Sequence, residues 1–273
     1  MTSTSGVPGA DLERRFGGLR RLYGDEGYAR LRGASVAVVG LGGVGSWAVE
    51  ALARSGVARL VLVDLDHVAE SNINRQVQAV DGTVGQHKGL ALQARVASIH
   101  PGCQVLVVDA FAGPDNWPAL LPQPVQAVID ACDQVRGKVA IAAWALREQV
   151  ALVCVGAAGG KKQAQLVEVL DLAETTHDPL LASMRQRLRK ESGAQRPGRL
   201  MGVRCVFSRE TVSAPMGDGD CALDGTLNCH GYGSSVAVTA TFGMVAAGEV
   251  IQQLLAARVT GTPAEPSKLA DIM

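Results

Sequence analysis

The chain has 273 residues, 47% of them hydrophobic, enough to bury one sizeable core and to predict a single domain. Lys plus Arg number 26 and Asp plus Glu number 26, which excludes a globally basic, polyanion-coating surface and leaves only local patches. The six cysteines contain no C-x-x-C pair, which excludes the common zinc spacing and a small disulfide framework.

Residues 1–14 read as a tail, because MTSTSGVPGA has no basic segment followed by an apolar run and so lacks the pattern of a secretory leader. From Ser35 onward, short β-branched runs alternate with longer helical patterns. The predicted strands are Ser35–Val39, Arg59–Val63, Gln104–Val108, Gln126–Ile129 and Ala151–Val155, and the helices Val44–Ser55, Lys88–Ile99 and Val135–Glu148. Cys103, Cys132 and Cys154 sit in or beside these apolar runs and read as reduced, buried thiols of a reducing compartment, the cytoplasm. Alternation of this kind predicts an α/β, doubly wound, mostly parallel sheet with crossover helices.

After Gly160 the pattern changes. Gln163–Val169 and Val203–Phe207 read as strands of an antiparallel C-terminal extension flanking a charged helix, Asp178–Lys190, and a Gly- and Asp-rich loop follows from Ser213 to Ser234. Ser235–Ala256 is the most apolar stretch, but Thr239, Thr241, Glu249, Gln252 and Gln253 interrupt it, and an ionised Glu is costly in lipid. It is predicted to be a terminal core helix rather than a membrane span. Residues 15–257 thus form one domain, with a nucleotide-binding half over about 35–160, a substrate-facing half over about 161–257, and a C-terminal tail over 258–273.

Gly40-Leu-Gly42-Gly43-Val-Gly45 follows the first strand and opens a helix, and Asp64 ends the second strand where a ribose-binding acid belongs. Glycines let the backbone approach phosphates, and the helix N-terminus supplies free N–H donors with partial positive charge. Past Asp64 come Asp66, Asn72, Arg75 and Gln76, then Lys88 at a helix start, and Asp130-Ala-Cys-Asp133 after the fourth strand. Hydride transfer leaves a pyrophosphate intact and needs no cationic clamp, whereas attack at an α-phosphate expels pyrophosphate and needs cations and a metal-holding carboxylate. Arg75, Lys88 and Asp133 supply that set, so ATP with Mg²⁺ held by Asp133 is the favoured ligand. Structural alternatives stand beside each residue: Arg75 paired with Asp66 or Glu70, Lys88 as a solvated first-turn cation, Asp133 as a helix cap.

On these motifs the sequence resembles the ubiquitin-activating-enzyme-like adenylyltransferases, Rossmann-type proteins that include the molybdopterin-synthase and thiamine sulfur-carrier activators. The resemblance implies that Asn72, Arg75 and Lys88 contact ATP phosphates or the attacked carboxylate. Segments outside the nucleotide core, among them Arg15-Phe-Gly-Gly18, Gly156-Ala-Ala-Gly-Gly160, Asp178-Pro-Leu-Leu and Thr239-Ala-Thr-Phe-Gly243, look like one branch, the tRNA threonylcarbamoyladenosine dehydratases. That branch implies activation of a modified adenosine's carboxylate beside the anticodon and ring closure with net loss of water. It also implies a homodimer, a cysteine-desulfurase and sulfur-acceptor partner, and room for a monovalent cation. Where related activators place a partner-subunit arginine, this chain has Gly18, with Arg15 or Arg21 as substitutes.

Between Arg185 and Arg209 eight basic residues face one acid, Glu191. Arg185, Arg187, Arg189, Lys190, Arg196 and Arg199 are the candidate RNA contacts, against the plainer reading of a solvated helix face. Cys221 and Cys229 lie in the Gly-rich loop, with His230 beside Cys229, which makes Cys229 a candidate catalytic thiol. Three other readings remain: an activator of a small sulfur-carrier protein's Gly-Gly tail, a nicotinamide dehydrogenase, and a non-catalytic RNA-binding module. The missing C-x-x-C pairs count against the first of these.

Overall fold

The computed structural model describes residues 10–191, 199–213 and 232–256. A seven-stranded sheet runs β3-β2-β1-β4-β5-β7-β6, with β1 (Ser35–Val39), β2 (Arg59–Val63), β3 (Gln104–Val108), β4 (Ala127–Asp130), β5 (Ala151–Val155), β6 (Val167–Asp171) and β7 (Arg204–Ser208). All pairs are parallel except β6 with β7. The order reverses between β1 and β4, which leaves a crevice at the carboxyl ends of those strands.

Every residue of β1 is buried, and alternate side chains enter opposite cores. Val36 and Val38 pack with α2 (Gly45–Arg54), part of α3 (Lys88–Ile99) and α6 (Val236–Ala256), whereas Ala37 and Val39 pack with α4 (Val135–Glu148) and α5 (Pro179–Glu191). The long apolar α6 buries Val238, Phe242, Ala246, Val250 and Leu254, so it is a core helix, as the sequence predicts. Its Gly243 is obligatory, because a Cβ there would lie 2.5 Å from the Val44 carbonyl at the start of α2.

Several element boundaries differ from expectation. Helix α1 (Leu12–Gly33), capped by the Asp11 carboxylate on Arg14 N–H, starts inside the stretch expected as a tail. It bends at Gly24 (φ +73°) and buries Phe16, Tyr28 and Leu31, too few apolar positions to announce themselves in the sequence. The fourth strand and the strand expected over Val203–Phe207 are each shifted one residue, ending at Asp130 and Ser208. The run expected as a strand over Gln163–Val169 opens with a 3-10 turn at Ala164–Leu166, because the Glu210 carboxylate accepts the Lys162 and Gln163 N–H groups and removes them from the ladder. The expected C-terminal tail, Arg196, and Cys221, Cys229 and His230 lie outside the described residues.

Candidate active site

The crevice at the β1/β4 reversal opens into a cleft of about 380 Å³. The glycine loop forms its floor. Gly40 has φ +85°, and a Cβ there would sit 2.8 Å from the Ala131 carbonyl, so β1 and the β4–α4 turn meet over it. At Gly45 a Cβ would fall 1.8 Å from the Gly40 carbonyl, and Gly43 lies against Thr239 of α6 and the Arg75 stem. No side chain caps the start of α2, and the residues that lead into it, Gly42, Gly43 and Val44, line the cleft.

Asp64 is buried and organises the loop before any ligand arrives. One carboxylate oxygen accepts Leu41 N–H at 2.6 Å and the other Asp66 N–H at 2.8 Å. The carboxylate thus ties the glycine loop to the end of β2 and still has lone pairs for ribose hydroxyls.

On one wall stand Asn72, Arg75 and Gln76, all buried. Asn72 is held by the Ala69 N–H at 3.0 Å, and Gln76 accepts from Gln78 at 3.0 Å. Arg75 does not pair with Asp66 or Glu70; its Nη1 donates to the Ser71 carbonyl at 2.8 Å and to Asn74 Oδ1 at 2.9 Å. The Arg75 carbonyl accepts the Trp47 indole N–H at 3.0 Å, so α2 anchors the backbone that presents the guanidinium. Lys88 is not a solvated cation either: it is buried, lines the cleft, and donates to Asp66 Oδ2 at 2.7 Å. Asp133 is exposed in the cleft and has no hydrogen-bond or ion-pair partner among the described residues. Residue Gln134, not Asp133, occupies the cap position of α4, and no side chain bonds there. A free carboxylate facing a cationic wall fits a Mg²⁺ ion that takes its remaining ligands from phosphates and water.

The opposite wall escaped the sequence reading. Gly156, Ala157, Ala158 and Gly159 line it, held by Asp178, whose carboxylate accepts Ala157 N–H at 2.9 Å and caps α5 through Leu181 N–H at 3.0 Å. Behind it, buried Lys161 donates to the carbonyls of Ser208 at 2.9 Å and Glu210 at 2.6 Å, and burial lowers its pKa. Phe111, half exposed, and Ala112 complete the rim beyond β3. Ser213 and Gly233, near the two ends of the loop expected over Ser213–Ser234, both bond to Gly160, the residue after this wall.

Beneath Asp133 lies a second unforeseen feature, a fully buried ion pair between Lys138 Nζ and Asp130 Oδ1 at 3.2 Å. Burial alone would lower the Lys138 pKa, but the Asp130 carboxylate outweighs it and holds the ammonium above its ordinary range. Its sequence signal was a lysine on the apolar face of α4. Burial, then the Asp130 charge, pushes the Cys132 and Cys154 thiols well up, and burial raises Cys103 to about 11. None of these three is a thiolate at neutral pH, although Cys132 lines the cleft.

The basic segment is only partly available. Arg185 is turned inward, donating to the Leu172 carbonyl at 3.1 Å and the Thr175 carbonyl at 2.9 Å. Arg204 pairs with Glu249 and Arg209 with Glu168, both at 2.8 Å, acids distant in sequence that a local charge count cannot see. Arg187, Lys190 and Arg199 are exposed, and Arg189 is half-buried. Of the arginines considered near Gly18, Arg15 is committed to the Ser98 and Ile99 carbonyls at the end of α3, whereas Arg21 is exposed and without a partner among the described residues. Neither lines the cleft.

Comparison with known proteins places this geometry. The model of the ThiF family matches residues 15–271. The tRNA threonylcarbamoyladenosine dehydratase of Haemophilus influenzae is 42% identical over 247 residues, covering 90% of this chain and 95% of that one. A solved structure of the Escherichia coli tRNA N6-threonylcarbamoyladenosine dehydratase in complex with ATP superposes with a TM-score of 0.81 at 39% identity, covering 92% of this chain and 98% of that one. The same Escherichia coli enzyme has been solved with AMP. Similarity to the molybdopterin-synthase adenylyltransferase of Salmonella typhimurium, 38% identical, extends over only 115 residues, 42% of this chain.

Proposed function

This chain belongs to the ThiF family, and on that premise we propose that it is an ATP-dependent dehydratase that activates the carboxylate of threonylcarbamoyladenosine in tRNA by adenylation and drives its cyclisation. The carrying observation is the convergence, in one cleft over the glycine loop, of two buried cations, Arg75 and Lys88, and one carboxylate, Asp133, that has no partner among the described residues. Activation of a sulfur-carrier tail is set aside, because the similarity to the molybdopterin-synthase activator extends over only 42% of this chain while that to the Haemophilus influenzae dehydratase covers 90% of it.

The substrate carboxylate oxygen attacks the α-phosphorus, forming an acyl-adenylate and breaking the bond to pyrophosphate. Arg75 and Lys88 neutralise charge growing on the phosphate oxygens, and the loop Gly42–Val44 that leads into α2 lets those oxygens approach the backbone at the helix start. Mg²⁺, held by Asp133, supplies further charge neutralisation when bound. Asp64 orients the ribose, and the half-exposed Phe111 gives the base an apolar surface at the rim. A carbamoyl nucleophile then closes on the activated carbonyl carbon and AMP leaves with the carboxylate oxygen, so the nucleoside loses one water overall.

Arg187, Lys190 and Arg199 provide the exposed cations for tRNA phosphates. Because Arg15 is tied to α3 and Arg21 faces solvent, a second copy of the chain is the proposed source of any further arginine in the cleft, making the enzyme a homodimer. On resemblance alone the reading extends to the cytoplasm, a monovalent cation and a cysteine-desulfurase and sulfur-acceptor partner. The test is incubation of the protein with ATP, Mg²⁺ and tRNA bearing the open nucleoside, followed by nucleoside mass spectrometry. Conversion to the dehydrated nucleoside with release of AMP and pyrophosphate is expected; conversion of a Gly-Gly-tailed carrier to its adenylate instead would overturn the reading.

A further inference from the structure

Where Lys88 rests depends on the residue before it. His87 is buried between the ends of β2 and β3 and the first turn of α3, and its Nδ1 accepts the Gly89 N–H at 3.1 Å. It therefore serves as the N-cap of α3, a position that Ser, Thr, Asp and Asn usually fill. With Nδ1 accepting, the ring carries its hydrogen on Nε2, and that N–H is shared between the Asp64 carbonyl at 3.1 Å and Asp109 Oδ1 at 3.2 Å. The His67 ring meets it edge-on at 5.6 Å. A Cβ on Gly89 would lie 2.6 Å from Val107 and 3.1 Å from the imidazole, so helix, strand and ring fit in one register. The first residue of the helix so fixed is Lys88, whose N–H bonds to the Asp66 carbonyl at 3.0 Å and whose ammonium meets the Asp66 carboxylate.

We propose that His87 is a positioning residue for Lys88: its Nδ1 cap holds the first turn of α3 so that the ammonium faces the nucleotide phosphates. A lysine in a helix's first turn opposes the helix dipole, so this turn has to be held from outside the helix. The Nδ1 bond does so on the helix side, and the Nε2–H bond ties the same ring to the β2 end that carries Asp64 and Asp66. This inference rests on the reading of Lys88 as a phosphate contact.

Calorimetric Mg-ATP affinities of the full chain and of His87→Asn, His87→Gln, Lys88→Met and the His87→Gln/Lys88→Met double variant test it. Asn places an acceptor at the Gly89 N–H, whereas Gln reproduces only the Nε2 end. Lys88→Met is expected to weaken binding about tenfold, His87→Gln about fivefold, and His87→Asn less than twofold, with the double variant no weaker than Lys88→Met alone. Unchanged affinity in Lys88→Met sinks the phosphate reading itself. A weakened Lys88→Met combined with normal binding by His87→Gln, or with effects that multiply in the double variant, overturns the positioning role alone. Should His87→Gln fail to fold, loss of affinity in folded His87→Asn has the same force.

Discussion

Lys88 Nζ and Asp66 Oδ2 lie 2.7 Å apart, with the lysine side chain 8% exposed and the aspartate 52%. The buried partner is the cation, so incoming phosphate oxygens replace a solvent-facing carboxylate rather than a water shell. Lys88→Met should lower kcat about 10²–10³-fold, the usual cost of one preorganised donor to developing charge, with a melting temperature close to wild type. Initial rates of pyrophosphate release measure it, and a loss below tenfold would remove Lys88 from the clamp.

Asp133 makes no internal bond among the described residues, so Asp133→Asn should leave the urea midpoint unchanged. Activity should fall steeply at ordinary Mg²⁺ and partly return as Mg²⁺ is raised, since the lost ligand weakens metal binding rather than the fold. A magnesium titration of both proteins checks this, and a rate insensitive to Mg²⁺ would contradict it.

Under the cleft, Lys138→Met leaves the Asp130 carboxylate buried and unpaired. It should cost about 3–5 kcal/mol of stability. Adding Asp130→Asn removes the orphaned charge and should recover most of that loss, measured by chemical denaturation of the single and double variants.

His100 is fully buried, its Nε2 lies 2.7 Å from Arg32 Nη1, and burial, then the Arg32 charge, lowers its pKa from 6.5 to about 4. The unfolded chain therefore binds the extra proton between pH 6.5 and pH 4 while the folded chain does not, so stability falls as pH drops through that window and levels off below it. The loss is at most about 3 kcal/mol. Urea midpoints at successive pH values should show the decline, and a His100→Asn variant should flatten it.

Exposed Arg187, Lys190 and Arg199 and inward-facing Arg185 should separate in experiment. Replacing the first three with Ala should reduce the slope of log tRNA affinity against log salt by about 2–3 without lowering the melting temperature. Arg185→Ala should instead lower stability by about 1–3 kcal/mol, because the buried carbonyls of Leu172 and Thr175 each lose a donor, Leu172 keeping only the Thr175 hydroxyl.

Much of this was legible because it is written at short range. The β-branched runs, the glycines at 40 and 45 and the acid at the end of β2 are spaced by backbone geometry, and six of the seven strands begin and end within one residue of their expected positions. The 3-10 turn at Ala164–Leu166 was hidden because a carboxylate more than forty residues away, Glu210, makes it. Helix α1 was hidden for another reason: its few buried positions are dispersed along a charged surface.

The sequence by itself determined the fold class, the nucleotide loop and the charged side chains on one side of it, since alternating periodicity and glycine placement act through neighbours along the chain. Only the tertiary structure decided which charges are available. Asp66 neutralises Lys88, Glu168 and Glu249 take two of the basic residues, Asp178 holds the far wall, and Asp133 is left without a partner among the described residues. Ion pairing depends on distance in space, and folding sets that distance between residues the sequence keeps apart.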